Sequence, residues 1–283
     1  MILFKKAADL HNYLDSQRKH GLKIGFVPTM GALHRGHISL VADAKANTDI
    51  TVCSIFVNPA QFNDPNDFKK YPVTIEKDLE MLVEAGCNIL FLPDVAEIYP
   101  EGVLQDKHYD LGNLEKILEG QYRPGHFQGV CMVVERLLRI VVPDILFIGQ
   151  KDYQQCMVIQ RLISLMGLAD KIQVRISPTL RETDGLAMSS RNMRLSPEDR
   201  NKAKAISETL FYIKQNFLSV GFDHLKTFAK ASLEAKGFNV DYVTIADAGN
   251  LEPVDKFQSR QGLVALAAAS IDGVRLIDNI ILN

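Results

Sequence analysis

Apolar residues in this chain gather into short runs of two kinds, separated by polar turns. Lys23–Val27, Asn88–Pro93 and Asp144–Ile148 are short, largely apolar stretches, Lys171–Ile176 is a final strand-like one, and Ile50–Val57 is nearly all apolar and rich in β-branched residues. Such runs predict strands covered on both faces. Around them, Lys5–Lys19, Ile38–Asn47, Thr74–Ala85, Val130–Val142 and Gln154–Met166 space their apolar residues as helices do. In Ile38–Asn47 the expected inward side is Ile38, Val41, Ala42 and the stem of Lys45. In Thr74–Ala85 it is Ile75, Leu79, Leu82 and Val83, with Gly86 placed to end the helix. Alternating strands and helices predict an α/β fold with a Rossmann-like parallel sheet made of right-handed βαβ units. Asp64–Pro72 reads as a loop, and 100–129 as a less regular segment that could form a flap.

After Pro178 the pattern changes. Ser196-Pro197-Glu198-Asp199 combines a serine N-cap, a first-turn proline and acidic residues, a strong helix start running to about Phe217. Asp223–Lys236 predicts another helix, closed by Gly237. Val240–Ala246, Gly262–Ala269 and Val274–Leu282 read as strands, the last two joined by an Asp272-Gly273 hairpin. The expected division is an α/β domain over 1–178 and a smaller α+β domain over 179–283, acting as a lid.

Composition narrows the class. The chain has 283 residues, 47% hydrophobic and 23% charged, as globular proteins do. A formal net charge of −2 offers no electrostatic case for nucleic acid or an anionic membrane as partner. Met1–Lys6 holds no long apolar leader segment, and no run approaches the ~18 apolar residues of a membrane span. The four cysteines are widely spaced, without a C-x-x-C pair, which predicts reduced, mostly buried thiols and a cytoplasmic setting.

The chemistry concentrates where strands end. In an open parallel sheet, ligands bind outside the carboxyl ends of the strands. Four polar clusters follow expected strands: Met30–His37, Asn58–Phe62, Gly149–Gln155 and Leu180–Arg191. The first is a strand-to-helix turn with two glycines and with His34 and His37 at the helix entrance, where anions are favoured. It matches neither a G-x-G-x-x-G nor a Walker A loop. Lys151 and Arg191 add fixed positive charge, Ser189 and Ser190 short donors. Gly149 would let a ribose approach the backbone, and Asp152 could accept from sugar hydroxyls. Gln61 and Gln155 are neutral amides suited to a carboxylate or hydroxyls. Together the clusters point to an anionic nucleotide beside a small polar substrate. Taken singly, each has a plainer reading as a turn, a solvated ion pair or a loop cap.

Five blocks in order, P-T-M-G-A-L-H-R-G-H at 28–37, F-V-N-P-A-Q-F at 56–62, Y-R-P-G-H-F-Q-G-V at 122–130, G-Q-K-D-Y-Q-Q at 149–155 and D-G-L-A-M-S-S-R-N at 184–192, resemble the pantothenate synthetase family across essentially the whole chain. The resemblance implies ATP-dependent ligation of pantoate to β-alanine through a pantoyl-adenylate, releasing pyrophosphate and then AMP. It implies that Met30, Gly31, Ala32, Leu33, His34, Arg35, Gly36 and His37 line the ATP site, with His34 and His37 at the phosphates. Gly149, Gln150, Lys151 and Asp152 would hold ribose and phosphate, and Met188, Ser189, Ser190 and Arg191 would close over the phosphates. Leu180 would meet adenine through its backbone. Gln61, Gln155 and Met30 would border pantoate, Gln61 also the β-alanine position, and Asn58 would lie near phosphates and Mg²⁺. His37, His34, Lys151, Ser189, Ser190 and Arg191 are the implied catalytic set, with His37 protonated beside phosphate. Arg35 and Gln150 stand where the family often has Glu, and Leu180 where valine is commoner. A homodimer is implied as well. Two other readings stay open from the residues alone: a nucleotidyltransferase that leaves AMP on its product, and a non-catalytic nucleotide sensor.

Overall fold

The computed structural model describes residues 1–63, 65–103, 107–258 and 261–283, and at 65 and 66 the backbone only. Asp64 of the expected Asp64–Pro72 loop and 104–106 of the 100–129 segment lie outside the described residues. The chain forms two compact units: Met1–Gly149 with Gln155–Pro178, and Gln150–Gln154 with Thr179–Asn283.

The first unit is built on β1 (Ile2–Phe4), β2 (Ile24–Thr29), β3 (Ile50–Ile55), β4 (Ile89–Phe91), β5 (Ile145–Gly149) and β6 (Gln173–Ser177). These six strands form one sheet in the order β1-β4-β3-β2-β5-β6, every pairing parallel. Its helices are α1 (Ala7–Lys19), α2 (Arg35–Asn47), α3 (Pro65–Lys69), α4 (Ile75–Glu84), α5 (Val95–Ile98), α6 (Glu119–Tyr122), α7 (His126–Val141) and α8 (Tyr153–Leu165). In β2 to β5 neighbouring strand residues face opposite ways and both directions are apolar, whereas the edge strand β6 exposes Gln173 and Arg175. Phe26, Val52, Ile89, Phe91, Leu146 and Ile148 pack with α1, α7 and α8 on one face. Val27, Cys53, Ile55, Leu90 and Phe147 pack with α2 and α4 on the other. All four cysteines are free and buried.

Several elements depart from the sequence expectation. β1 is a strand the apolar pattern does not predict; its three residues lie at the edge of the sheet, beside β4. β2 runs on through Pro28 to Thr29, because β2–β5 pairing covers only Gly25 and Phe26. Pro28 therefore falls where the strand is paired on one side alone. α2 buries Leu40, Val41 and Ala44, while Ala42 and Lys45 are exposed. On α4, Val83 is 59% exposed, and the polar Asp78 is buried instead. α7 starts at His126, four residues early, because Gly129 lets the helix pack against the Ala60 carbonyl, which a Cβ would strike.

The second unit contains α9 (Pro197–Ala203), α10 (Ala205–Asn216), α11 (Phe222–Glu234) and an antiparallel sheet in the order β7 (Asn239–Asp247), β8 (Leu263–Ile271), β9 (Val274–Ile281). The long helix expected from Ser196 to Phe217 is broken at Lys204. Ser196 caps α9 by accepting from the Asp199 amide. Ile206, Leu210, Ile213, Leu225, Ala229 and Leu233 cover the inner face of the sheet. Asp272 and Gly273 both take positive φ in the β8–β9 turn, as a type I′ hairpin requires.

Candidate active site

Within the first unit, strand order reverses between β2 and β5. From β2 the chain proceeds outward through β3 and β4, then returns to place β5 on the opposite side. Ligands of open α/β sheets bind at such a switch point. The turn after β2 is Met30–His34, and β5 ends at Gly149.

The histidine turn is organised by its backbone. Gly31 and Ala32 take successive positive φ values, 79° and 48°. His34 is the N-cap of α2, and its Nδ1 accepts from the Gly36 amide at 3.2 Å. The His37 Nδ1 accepts from the His34 amide at 3.3 Å, so the two rings close a reciprocal capping box. Their centroids lie 4.0 Å apart. A ring nitrogen that accepts carries no proton, so each imidazole carries its N–H on Nε2. The amides of Ala32 and Leu33 donate to the buried Asp78 carboxylate at 2.9 and 2.8 Å. Phosphate at this turn would meet side chains rather than those two amides. Arg35 is exposed at the first position of α2.

A second cluster fixes an amide. Asn58 is 1% exposed, and all four of its side-chain hydrogen bonds are made. Its Oδ1 accepts from Tyr99 Oη (2.6 Å) and the Ala60 amide, and its Nδ2 donates to the Gly129 carbonyl and to Gln61 Oε1. The two backbone partners set the Asn58 amide, and Asn58 sets Gln61 in turn. Gln61 is left with Nε2 as its outward donor, 3.0 Å from Met30 Sδ. Sulfur is a weak acceptor, so that donor is readily taken over by a carboxylate. With its amide fully engaged, Asn58 has no side-chain atom left to ligate a metal. Among the described residues, no group of three or more His, Cys, Asp or Glu side chains is placed to hold one. Gln155 lies half-buried on α8. A Cβ on Gly149 would meet no described atom within 4 Å, and its φ is not left-handed. Packing and backbone thus give no reason for glycine there.

The second unit brings together the remaining candidates. Gln150–Asp152 form a 3-10 turn whose Gln150 and Lys151 carbonyls accept from Asn279 Nδ2 at 2.9 and 2.8 Å. Gln150 Nε2 donates back to Asn279 Oδ1. Lys151 Nζ lies 3.8 Å from Asp152. Arg181 makes a two-pronged pair with Asp278 (2.6 and 3.0 Å) and also donates to the Gly185 and Asn279 carbonyls. Burial pushes the Asp278 carboxyl up, against the pull of Arg181 and Lys151. Arg181 and Ala187 pair as a short antiparallel bridge, and the Leu180 carbonyl accepts from the Met188 amide. That hairpin leads into Ser189, whose Oγ accepts from the Arg191 amide to start the 3-10 turn Ser190–Arg194.

Sequence reasoning missed Asp78, Tyr99, Asp278 and Asn279. Each sits far along the chain from the turn it serves and belongs to no block with a chemical signature. A polar residue on the apolar side of a helix was the available signal for Asp78, and paired polar residues in an apolar strand for Asp278 and Asn279.

The pantoate-beta-alanine ligase family profile matches residues 2–281. A pantothenate synthetase of Cytophaga hutchinsonii is 44% identical, over 100% of this chain and 99% of its own. One from Porphyromonas gingivalis is 42% identical over 99% of both. The crystal structure of the Thermus thermophilus pantothenate synthetase superposes with a TM-score of 0.92 at 38% identity, covering 100% of this chain and 99% of that one. The Francisella tularensis pantoate-beta-alanine ligase, complexed with beta-gamma ATP and beta-alanine, gives 0.83 at 37% identity, covering 100% and 98%.

Proposed function

This chain belongs to the pantoate-beta-alanine ligase family, and from that premise we propose how its residues divide the work. It joins pantoate to β-alanine at the expense of ATP, making pantothenate. The pantoate carboxylate attacks the α-phosphorus of ATP. The bond to the bridging oxygen breaks, pyrophosphate leaves with that electron pair, and pantoyl-adenylate remains. The free amine of β-alanine then attacks the mixed anhydride, loses a proton and expels AMP.

The protein supplies no nucleophile for either step. Positioning and charge stabilisation carry such transfers. His34 and His37 donate from Nε2 to the phosphates, while Lys151, Ser189, Ser190 and Arg191 stabilise charge growing on pyrophosphate. Gly149 admits the ribose to the backbone, Asp152 accepts from its hydroxyls, and Leu180 meets adenine through its backbone. Met30, Gly31, Ala32, Leu33, Arg35 and Gly36 shape the ATP side of the turn. Gln61 donates to pantoate from Nε2, Gln155 holds its other end, and Asn58 acts by aiming Gln61. Mg²⁺ arrives with the nucleotide as part of the substrate, since it commonly keeps waters and binds through phosphates.

One observation carries this reading: the reciprocal capping box of α2 fixes the His34 and His37 rings through Nδ1 at the turn after β2, the sheet's switch point. The test is pantoate-dependent exchange of pyrophosphate into ATP by His37→Ala. Turnover falls by ~10²–10³, the usual loss for one such donor; near-normal exchange removes His37 from the mechanism. Equal release of AMP and pyrophosphate excludes an enzyme that leaves AMP on its product.

We also assign the chain to the cytoplasm and to a homodimer, on the free buried thiols and on the family resemblance respectively. Light scattering of the purified protein decides the second point. No helix among the described residues is long and apolar enough to cross a membrane.

A further inference from the structure

We propose that Asp78 is a positioning residue for the adenylation step, acting through the backbone of the histidine turn. It is fully buried on α4, in a helix otherwise packed by apolar side chains. Its two oxygens divide between successive amides, Oδ2 to Ala32 and Oδ1 to Leu33. Thr74, the N-cap residue of α4, donates its hydroxyl to the same Oδ1 at 2.9 Å. Asp78 forms no ion pair with any described residue, so these donors and the start of the α4 dipole carry its charge.

The clamped peptides are the ones under constraint. Ala32 holds φ of 48°, a conformation that costs a residue with a Cβ. At Gly31 a Cβ would come within 3.1 Å of Asp78 Oδ2 and 3.0 Å of Ile55 Cγ2, so glycine leaves room for the carboxylate. Two amides gripped in series fix the direction in which the chain enters α2. That direction sets the His34 cap and, through the cap, both imidazoles. A buried carboxylate is costly unless fully hydrogen-bonded, and an apolar residue would fill the same space at less cost. The carboxylate is explained by what it holds.

The inference rests on the reading that the histidines serve ATP. Asp78→Asn keeps the volume but turns an NH₂ toward one of the amides. The expected result is a folded enzyme, by circular dichroism and thermal melting, whose pantoate-dependent pyrophosphate exchange falls about tenfold or more. The KM for β-alanine stays unchanged, which a general loss of structure would not allow. Exchange within about twofold of wild type in folded protein overturns the proposal. If Asp78→Asn does not fold, Thr74→Val and Thr74→Ser decide. Loss of exchange in the first with retention in the second supports the clamp, and normal exchange in both overturns it. His37→Ala run alongside separates the two ideas. Normal exchange there sinks the ATP reading itself, whereas loss there with normal Asp78→Asn sinks only the clamp.

Discussion

The turn after β2 and the turn after β5 are both short and braced by a distant side chain, yet with opposite chemistry. Ala32 and Leu33 present amide N–H groups, and a carboxylate, Asp78, accepts from both. Gln150 and Lys151 present carbonyls, and the NH₂ of Asn279 donates to both. Each turn leaves backbone groups without a regular partner, and the polarity of those groups dictates which side chain can hold them. The surroundings follow the same logic. Asp78 is buried on α4 and takes a third donor, the Thr74 hydroxyl. Asn279 adjoins Asp278, whose charge Arg181 already takes up, so a neutral amide adds no further negative charge near Lys151.

Swapping polarity is the hardest test of this comparison. Asn279→Asp points carboxylate oxygens at two carbonyls and places a second charge beside Asp278. Pantoate-dependent exchange is expected to fall by about 10–100-fold, matching the usual cost of unsatisfied buried groups. Asn279→Ala loses less, and equal activity in both variants breaks the polarity argument. Gln155 belongs to neither turn. Gln155→Ala is expected to raise the pantoate KM about tenfold while ATP binding, read by calorimetry, stays near wild type. Equal loss of both contradicts its assignment to pantoate.

The smallest effect on turnover is expected at Glu135 on α7, whose partners belong to neither turn. Burial acts to raise its carboxyl, but hydrogen bonds from Lys107, Tyr109 and Arg139 outweigh it and hold the group at about 2. Glu135→Gln is expected to leave exchange within about twofold and lower stability by about 1–3 kcal/mol. Because the folded value lies below the ordinary 4.5, that contribution is complete above about pH 5 and lost as pH falls from 4.5 toward 2. Denaturant melts of both proteins across that range check the sign; a gap widening in acid contradicts it.

Much of the scaffold was legible because a strand buried on both faces has little choice but continuous apolar residues. Ile50–Ile55 is one example, wholly buried as its composition implied. Helix faces were less legible. Ala42 and Val83 fit the helical spacing, yet they face solvent, because spacing alone does not say which apolar side meets the sheet. The Ser196–Phe217 helix broke at Lys204 although nothing in its pattern marks a stop.

By itself the sequence determined the alternating α/β architecture, the order of the polar clusters at strand ends and the five blocks that carry the family resemblance. Those are local properties: periodicity, turn chemistry and motif spacing are written in neighbouring residues. Only the tertiary structure decided that His34 and His37 cap α2 through Nδ1, that Asn58 aims Gln61, and that Asp78 and Asn279 brace the two turns. Those depend on hydrogen bonds between residues up to 129 positions apart, and a buried polar group's partner is set by packing rather than by its place in the chain.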